Sequence, residues 1–265
     1  ERVDEATNNE KFRVITSIAM LYGVEDLNGF AQSVKSMLTP DGIWVIQLSY
    51  VPELIKTLSF YDICHEHLYY FSLETLNYLL ERNGITIYDA STNDVNGGSL
   101  RVFVTHEESR GDKTIDFYKL FYEEKKMRLA EREIYHMFYR NICDLKEKVT
   151  DYIKKENDDG NLVIGLGGST KGNVLLQFFE LNKQLLPYIS DRNPEKVGLR
   201  TLGTDFEIIS EERAKELNPS CMLVLIWFFK EELIQREHEY LKRGGKLLFP
   251  MPYAHIVTID GEKAL

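Results

Sequence analysis

The stretch from Asn161 to Leu181, NLVIGLGGSTKGNVLLQFFEL, decides the fold class. A short apolar run meets a turn containing Gly165, Gly167 and Gly168, and apolar residues at helical spacing follow. A strand that enters a glycine turn and leaves as a helix is the first half of a β–α–β unit. The alternation continues downstream: LLPYISD reads as a strand, ISEERAKEL as a helix, CMLVLIW as a strand, KEELIQREHEYLKRGG as a helix and KLLFPMP as a strand. Residues 159–265 are therefore expected to form a Rossmann-like, doubly wound α/β domain.

A second α/β region, residues 1–110, precedes it. The first ten residues are polar and read as a loop. RVITSIAML reads as a strand, EDLNGFAQSVKSML as a helix ended by TPDG, and IWVIQLSY as a strand. A short helical or loop piece, VPELIKTLSF, follows. SLETLNYLLERNG is a helix, with Ser72 as N-cap and Gly84 at its end. ITIYDAST and LRVFVTH are strands joined through NDVNGGS, so the sheet is expected to finish with an antiparallel strand. Between the two regions, residues 111–158 are highly charged but carry Ile134, Phe138, Ile142, Leu145, Val149 and Ile153 at helical spacing. One or two long helices are expected there as a connector.

The chain has 265 residues and a formal net charge of −10, which argues against nucleic acid as a partner. Cys64, Cys143 and Cys221 are odd in number and far apart, a pattern that suits a reducing cytoplasm and no disulfide framework. The longest apolar runs are too short to span a bilayer, so no membrane is expected.

Four stretches carry possible chemistry, and each has a plain alternative. In GLGGSTKGN, backbone N–H groups at a helix start can hold a phosphate, with Ser169 and Lys171 beside Gly167. The dinucleotide fingerprint requires glycine where Thr170 stands, and the P-loop spacing also fails. The alternative is a tight turn that binds nothing. Asp191, Arg192 and Asn193 follow the next strand, where open α/β sheets bind ligands, but DRNP also suits a simple turn. Asn96, Gly97, Gly98 and Ser99 permit close backbone approach to a ligand, or merely turn a hairpin. YDICHEHLYYF, residues 61–71, groups His65, Glu66 and His67 among aromatics. A metal would need a third ligand on the same side, so no metal site is expected. A histidine base steered by a neighbouring carboxylate fits better, and a polar cluster that satisfies loop backbone is the alternative.

Taken together, three segments resemble the SAM-dependent sugar C-methyltransferases: residues 12–50, residues 62–104 (DICHEHLYYF through GGSLRVFV), and residues 165–204 from GLGGSTKGN onward. The family's loop usually reads GASxKGN. The resemblance implies a partial class I methyltransferase-type sheet, a helical connector and the C-terminal Rossmann-like domain. It implies transfer of a methyl group from S-adenosylmethionine to the carbon beside the ketone of a nucleotide-linked keto-deoxysugar, by way of an enolate. His67 would be the base, Glu66 would orient it or touch the sugar, and His65 is a second candidate. Gly167, Ser169, Lys171, Asp191, Arg192 and Asn193 would hold the nucleotide diphosphate sugar, with Asn96–Ser99 nearer the sugar. The imidazole of the first region and the anion cradle of the second are expected to serve one substrate.

Three departures stand out. Cys64 occupies a position where some members have tyrosine, and Gly168 replaces the usual alanine. The family's zinc-binding N-terminal domain and its glycine-rich SAM loop have no counterpart in these residues, so zinc is not expected, and the chain reads as starting between the third and fourth strands of the methyltransferase sheet. Two other readings remain open: a non-catalytic nucleotide-sugar-binding module, and an NAD(P)-dependent oxidoreductase.

Overall fold

A computed structural model describes residues 10–109 and 111–265; the expected opening loop therefore lies outside the described residues except for Glu10. The chain divides into two compact units. The first comprises the residues up to Lys56 with His65–Tyr135, and the second comprises Thr57–Cys64 with His136–Leu265.

The first unit contains β1 (Phe12–Ile18), α1 (Leu27–Met37), β2 (Leu38–Ser49), α2 (Val51–Lys56), α3 (Leu73–Glu81), β3 (Ile85–Asn93), β4 (Ser99–His106) and α4 (Ile115–Lys126). Its sheet runs β1-β2-β4-β3, with β1 and β2 parallel and β4 antiparallel to both of its neighbours. Trp44, Ile46 and Leu48 of β2 and Leu100, Val102 and Val104 of β4 point to one face. They are buried with Ala31 and Val34 of α1 and Leu73, Leu76 and Leu80 of α3. The other face carries Gln47 and Arg101, directly opposed across β2 and β4.

TPDG proves not to be a loop between helix and strand. It belongs to β2, whose pairing jumps from Leu38 to Ile43 while β1 advances only from Phe12 to Val14. The turn-forming residues are absorbed as an irregularity inside the strand, which is how such residues are tolerated in a ladder.

In α3 the expected cap is present as a reciprocal box. Ser72 Oγ accepts from Thr75 N–H at 3.1 Å, and Ser72 N–H donates to Thr75 Oγ1 at 2.9 Å. A further capping group was not legible in the sequence. Glu124 of α4, buried at 3% exposure, accepts from Leu73 N–H at 2.6 Å, Glu74 N–H at 2.9 Å and Tyr50 Oη–H at 2.8 Å. Burial and the adjacent Glu124 charge hold the Tyr50 hydroxyl far above the ordinary phenol range.

The second unit takes up α5 (Arg132–Asp158) from His136 onward. Phe138, Ile142, Leu145, Val149 and Ile153 form the buried stripe of that helix. Then come β5 (Val163–Leu166), α6 (Thr170–Phe178), β6 (Tyr188–Asp191), β7 (Glu207–Ser210), α7 (Glu211–Leu217), β8 (Cys221–Val224), α8 (Lys230–Arg236), α9 (His238–Lys242), β9 (Lys246–Phe249), β10 (His255–Thr258) and β11 (Gly261–Ala264). The sheet order is β11-β10-β9-β8-β5-β6-β7, with β9-β8-β5-β6-β7 parallel. The order reverses at β5, so the crevice past the ends of β5 and β8 is a topological switch point.

Three elements differ from the expectation. β7 is an additional four-residue strand, too short to show a period. β10 and β11 add an antiparallel hairpin, and β11 is exposed throughout, so it lacks the apolar alternation that marks a half-buried strand. The single helix expected over 230–245 is two helices that meet at Glu237.

Thr57–Cys64 belongs to the second unit through its aromatics and one carboxylate. The Phe60 ring lies 4.9 Å from that of Phe178 and 5.7 Å from that of Phe179, and Tyr61 lies 6.3 Å from Trp227. Asp62 meets Lys171.

Candidate functional site

In the first unit the candidate residues gather past the carboxyl end of the sheet. β1 ends at Ile18 and leads into a short helical turn, Leu21–Gly23. The main-chain oxygen of Tyr22 accepts from the N–H groups of Leu68 and Tyr69 at 2.8 and 3.1 Å, and Tyr69 Oη–H donates to Glu25 O at 3.1 Å. A side chain at Gly23 would come within 3.2 Å of Glu66 O, so the two segments run close. Phe71 then pairs with Tyr50 just past β2.

This lacing sets the histidines in an irregular turn, neither strand nor helix. His67 is half-buried, its ring 4.0 Å from that of Tyr22 at 44°. His65 and Glu66 are exposed, with 3.6 Å between His65 Nε2 and Glu66 Oε1. The carboxylate thus stands beside His65 in the ion-pair geometry. Among the described residues no group of three His, Cys, Asp or Glu side chains could hold a metal ion.

Asn96–Ser99 lie in the same unit, at the turn between β3 and β4. Asn96, Gly97 and Gly98 have φ of +56°, +88° and +127°. At Gly98 a Cβ would come within 2.7 Å of Glu53 Cβ of α2, so glycine is required by both conformation and space. Ser99 Oγ–H donates to Val95 O at 2.8 Å.

In the second unit the glycine loop, β6 and α8 enclose a cavity of about 230 Å³ at the switch point. Gly167, Ser169, Asp191, Arg192 and Asn193 all line it. The carboxylate of Asp191 is engaged by the fold itself. Its Oδ2 accepts from Gly168 N–H at 2.7 Å, and its Oδ1 from Asn193 N–H at 2.8 Å. Lys196, not anticipated from the sequence, reaches Gly168 O at 2.6 Å and Asp191 Oδ2 at 3.4 Å. Ser169 caps α6 by accepting from Gly172 N–H at 3.0 Å. Arg192 Nη1 stands 3.8 Å from Glu232 Oε1, and Asn193 Oδ1 accepts from Glu195 N–H at 3.0 Å. Ser190, at 1% exposure, also lines the cavity, and its hydroxyl has no hydrogen-bond partner among the described residues. A buried hydroxyl left open beside a cavity is available to hydrogen-bond a group that enters it.

Lys171 does not line this cavity. Its Nζ is 2.5 Å from Asp62 Oδ1 and lies over the rings of Tyr61 and Phe228, 5.2 and 5.6 Å from their centroids. The sequence showed a free cation at a helix start; the fold pairs it. Burial pushes the Tyr61 hydroxyl above the phenol range, and Asp62 adds to the effect.

Residues 94–252 match the family described as the C-methyltransferase C-terminal domain, and residues 1–90 match that described as a methyltransferase domain. C-methyltransferase NovU of Streptomyces niveus is 29% identical over 255 residues, which are 96% of this chain and 61% of that relative. The chain thus spans about three fifths of the curated relative's length. Two solved structures overlap in part. A chain in the complex between the Haloferax volcanii Trm112 methyltransferase activator and a methyltransferase has 9% identity and a TM-score of 0.31, over 37% of this chain and 55% of that one. An S-adenosylmethionine-dependent methyltransferase from Clostridium acetobutylicum has 11% identity and a TM-score of 0.29, over 37% and 59%. With more than half of its residues matched by the first family, this chain belongs to the C-methyltransferases.

Proposed function

We propose that the protein takes part in C-methylation of a nucleotide-linked keto-deoxysugar, with S-adenosylmethionine supplying the electrophilic methyl group. The observation that carries this reading is the seat of His67, held on Tyr22 past the carboxyl ends of β1 and β2. A ketone acidifies the adjacent C–H. The imidazole accepts that proton, and the electron pair moves onto the ketone oxygen as an enolate. Glu66 and the Asn96–Ser99 turn are proposed to contact the sugar. The second-unit cavity, with Gly167, Ser169, Ser190, Arg192, Asn193 and Lys196, is proposed to hold the nucleotide part.

The oxidoreductase reading is disfavoured by the glycine loop, where Thr170 stands at the position that the dinucleotide fingerprint gives to glycine.

The test is solvent exchange on a thymidine-diphosphate 4-keto-deoxysugar in D₂O. Deuterium should enter at the carbon beside the ketone in the presence of the protein and at no other carbon. Absence of exchange, together with absence of methyl transfer, removes this function. Binding of the nucleotide sugar with neither reaction would leave a binding module.

A further inference from the structure

The opposing pair on the open face of the first sheet, Gln47 and Arg101, belongs to none of the motifs read above. Gln47 is a polar residue buried to 7% exposure in a central strand. Its Oε1 accepts from Arg101 Nε at 3.0 Å, Arg101 Nη2 at 2.7 Å and Asn93 Nδ2 at 3.2 Å. A neutral amide thus fixes the plane of the guanidinium without neutralising it. Among the described residues no carboxylate lies within ion-pair distance of Arg101, in a chain with 42 acidic against 32 basic residues. An arginine kept for stability in so acidic a chain has carboxylates available; this one is aimed by an uncharged partner, and its remaining N–H groups and whole charge are open.

The location is specific. Gln47 pairs on one side with Ile18, the last residue of β1, and on the other with Arg101, two residues beyond Ser99. Asn93 precedes the same left-handed turn at Asn96–Gly98. We infer that Arg101 is an oxyanion-binding residue of the substrate site, with Gln47 as its positioning residue. The inference rests on the sugar-methylation reading for the identity of the oxyanion, which is either the diphosphate of the nucleotide sugar or the enolate oxygen formed on proton removal. Both are matched by a planar, fixed, un-neutralised guanidinium.

Arg101 is exposed, so its replacement should leave folding intact. Two arms separate the sources, each read for Arg101→Ala and Gln47→Glu. If the diphosphate is the ligand, the affinity for thymidine diphosphate falls at least about tenfold in both variants. If the enolate is the ligand, that affinity is unchanged and the rate of proton exchange at saturating keto-sugar falls about a hundredfold. Gln47→Glu is the decisive variant: it preserves and strengthens the hydrogen bonds to Arg101 but neutralises the charge, so a merely structural pair would be unharmed. Unchanged affinity and unchanged exchange in both variants overturn the inference. If the wild-type chain neither exchanges the proton nor binds thymidine diphosphate, the methylation reading fails by itself. The oxyanion role is then decided by the Arg101 Nε–Hε resonance under inorganic pyrophosphate: a saturable shift retains it, and no shift removes it.

Discussion

Lys171 Nζ stands 2.5 Å from Asp62 Oδ1, with the two side chains 22% and 5% exposed. This ion pair ties the segment Thr57–Cys64 to the helix that follows the glycine loop. Lys171→Ala would leave the Asp62 carboxylate buried without its ammonium, which costs about 3–5 kcal/mol. Urea unfolding should show that loss for the single variant and a smaller loss for Lys171→Ala with Asp62→Ala. A single-variant loss below about 1 kcal/mol, the range of exposed pairs, would mean the tie is weak.

His67→Ala should slow proton exchange on the keto-sugar by about 10²–10⁴-fold, the range of one general base. Its stability should change little, because the ring is only half-buried and meets that of Tyr22 at a tilt of 44°. His65→Ala, at an exposed position, should leave the exchange rate within about threefold of wild type under the same principle. The reverse ranking would make His65 the base.

Glu124→Ala removes the acceptor of Leu73 N–H, Glu74 N–H and Tyr50 Oη–H together. Three donors are then left at a site of low exposure, and the first unit should lose about 2–4 kcal/mol. Circular dichroism with denaturant would measure the loss, and amide exchange at Leu73 and Glu74 would place it at the start of α3.

Burial pushes the Glu156 carboxyl up, but the hydrogen bonds from Lys246 at 2.5 Å, from Tyr152 and from Asn161 outweigh it and hold the group below the ordinary glutamate range. A carboxyl depressed in the folded state adds stability that is present above its unfolded value and is lost as pH falls through the folded one. Acid titration of wild type should therefore show a stability loss below the ordinary glutamate range that Glu156→Gln flattens. Parallel curves for the two proteins would assign that loss elsewhere.

The alternation of strands and helices, the Ser72 cap and the glycine turn after β5 were legible in the sequence, because each depends on residues within a turn or two of one another. The reading failed at the four-residue β7 and the exposed β11, where short-range signal was weak, and at TPDG, where turn-forming residues are absorbed as an irregularity of a strand. His67 was singled out through the family resemblance of its segment, and its seat on Tyr22 was not legible. The partners of the charged and polar side chains were decided by the tertiary structure alone: Asp62 for Lys171, Gly168 N–H for Asp191, and Glu124 for Tyr50 across 74 residues. Gln47 finds Arg101 across 54 residues. A carboxylate or guanidinium acts over a few ångströms of space, whatever the separation along the chain, and only the folded backbone sets that distance.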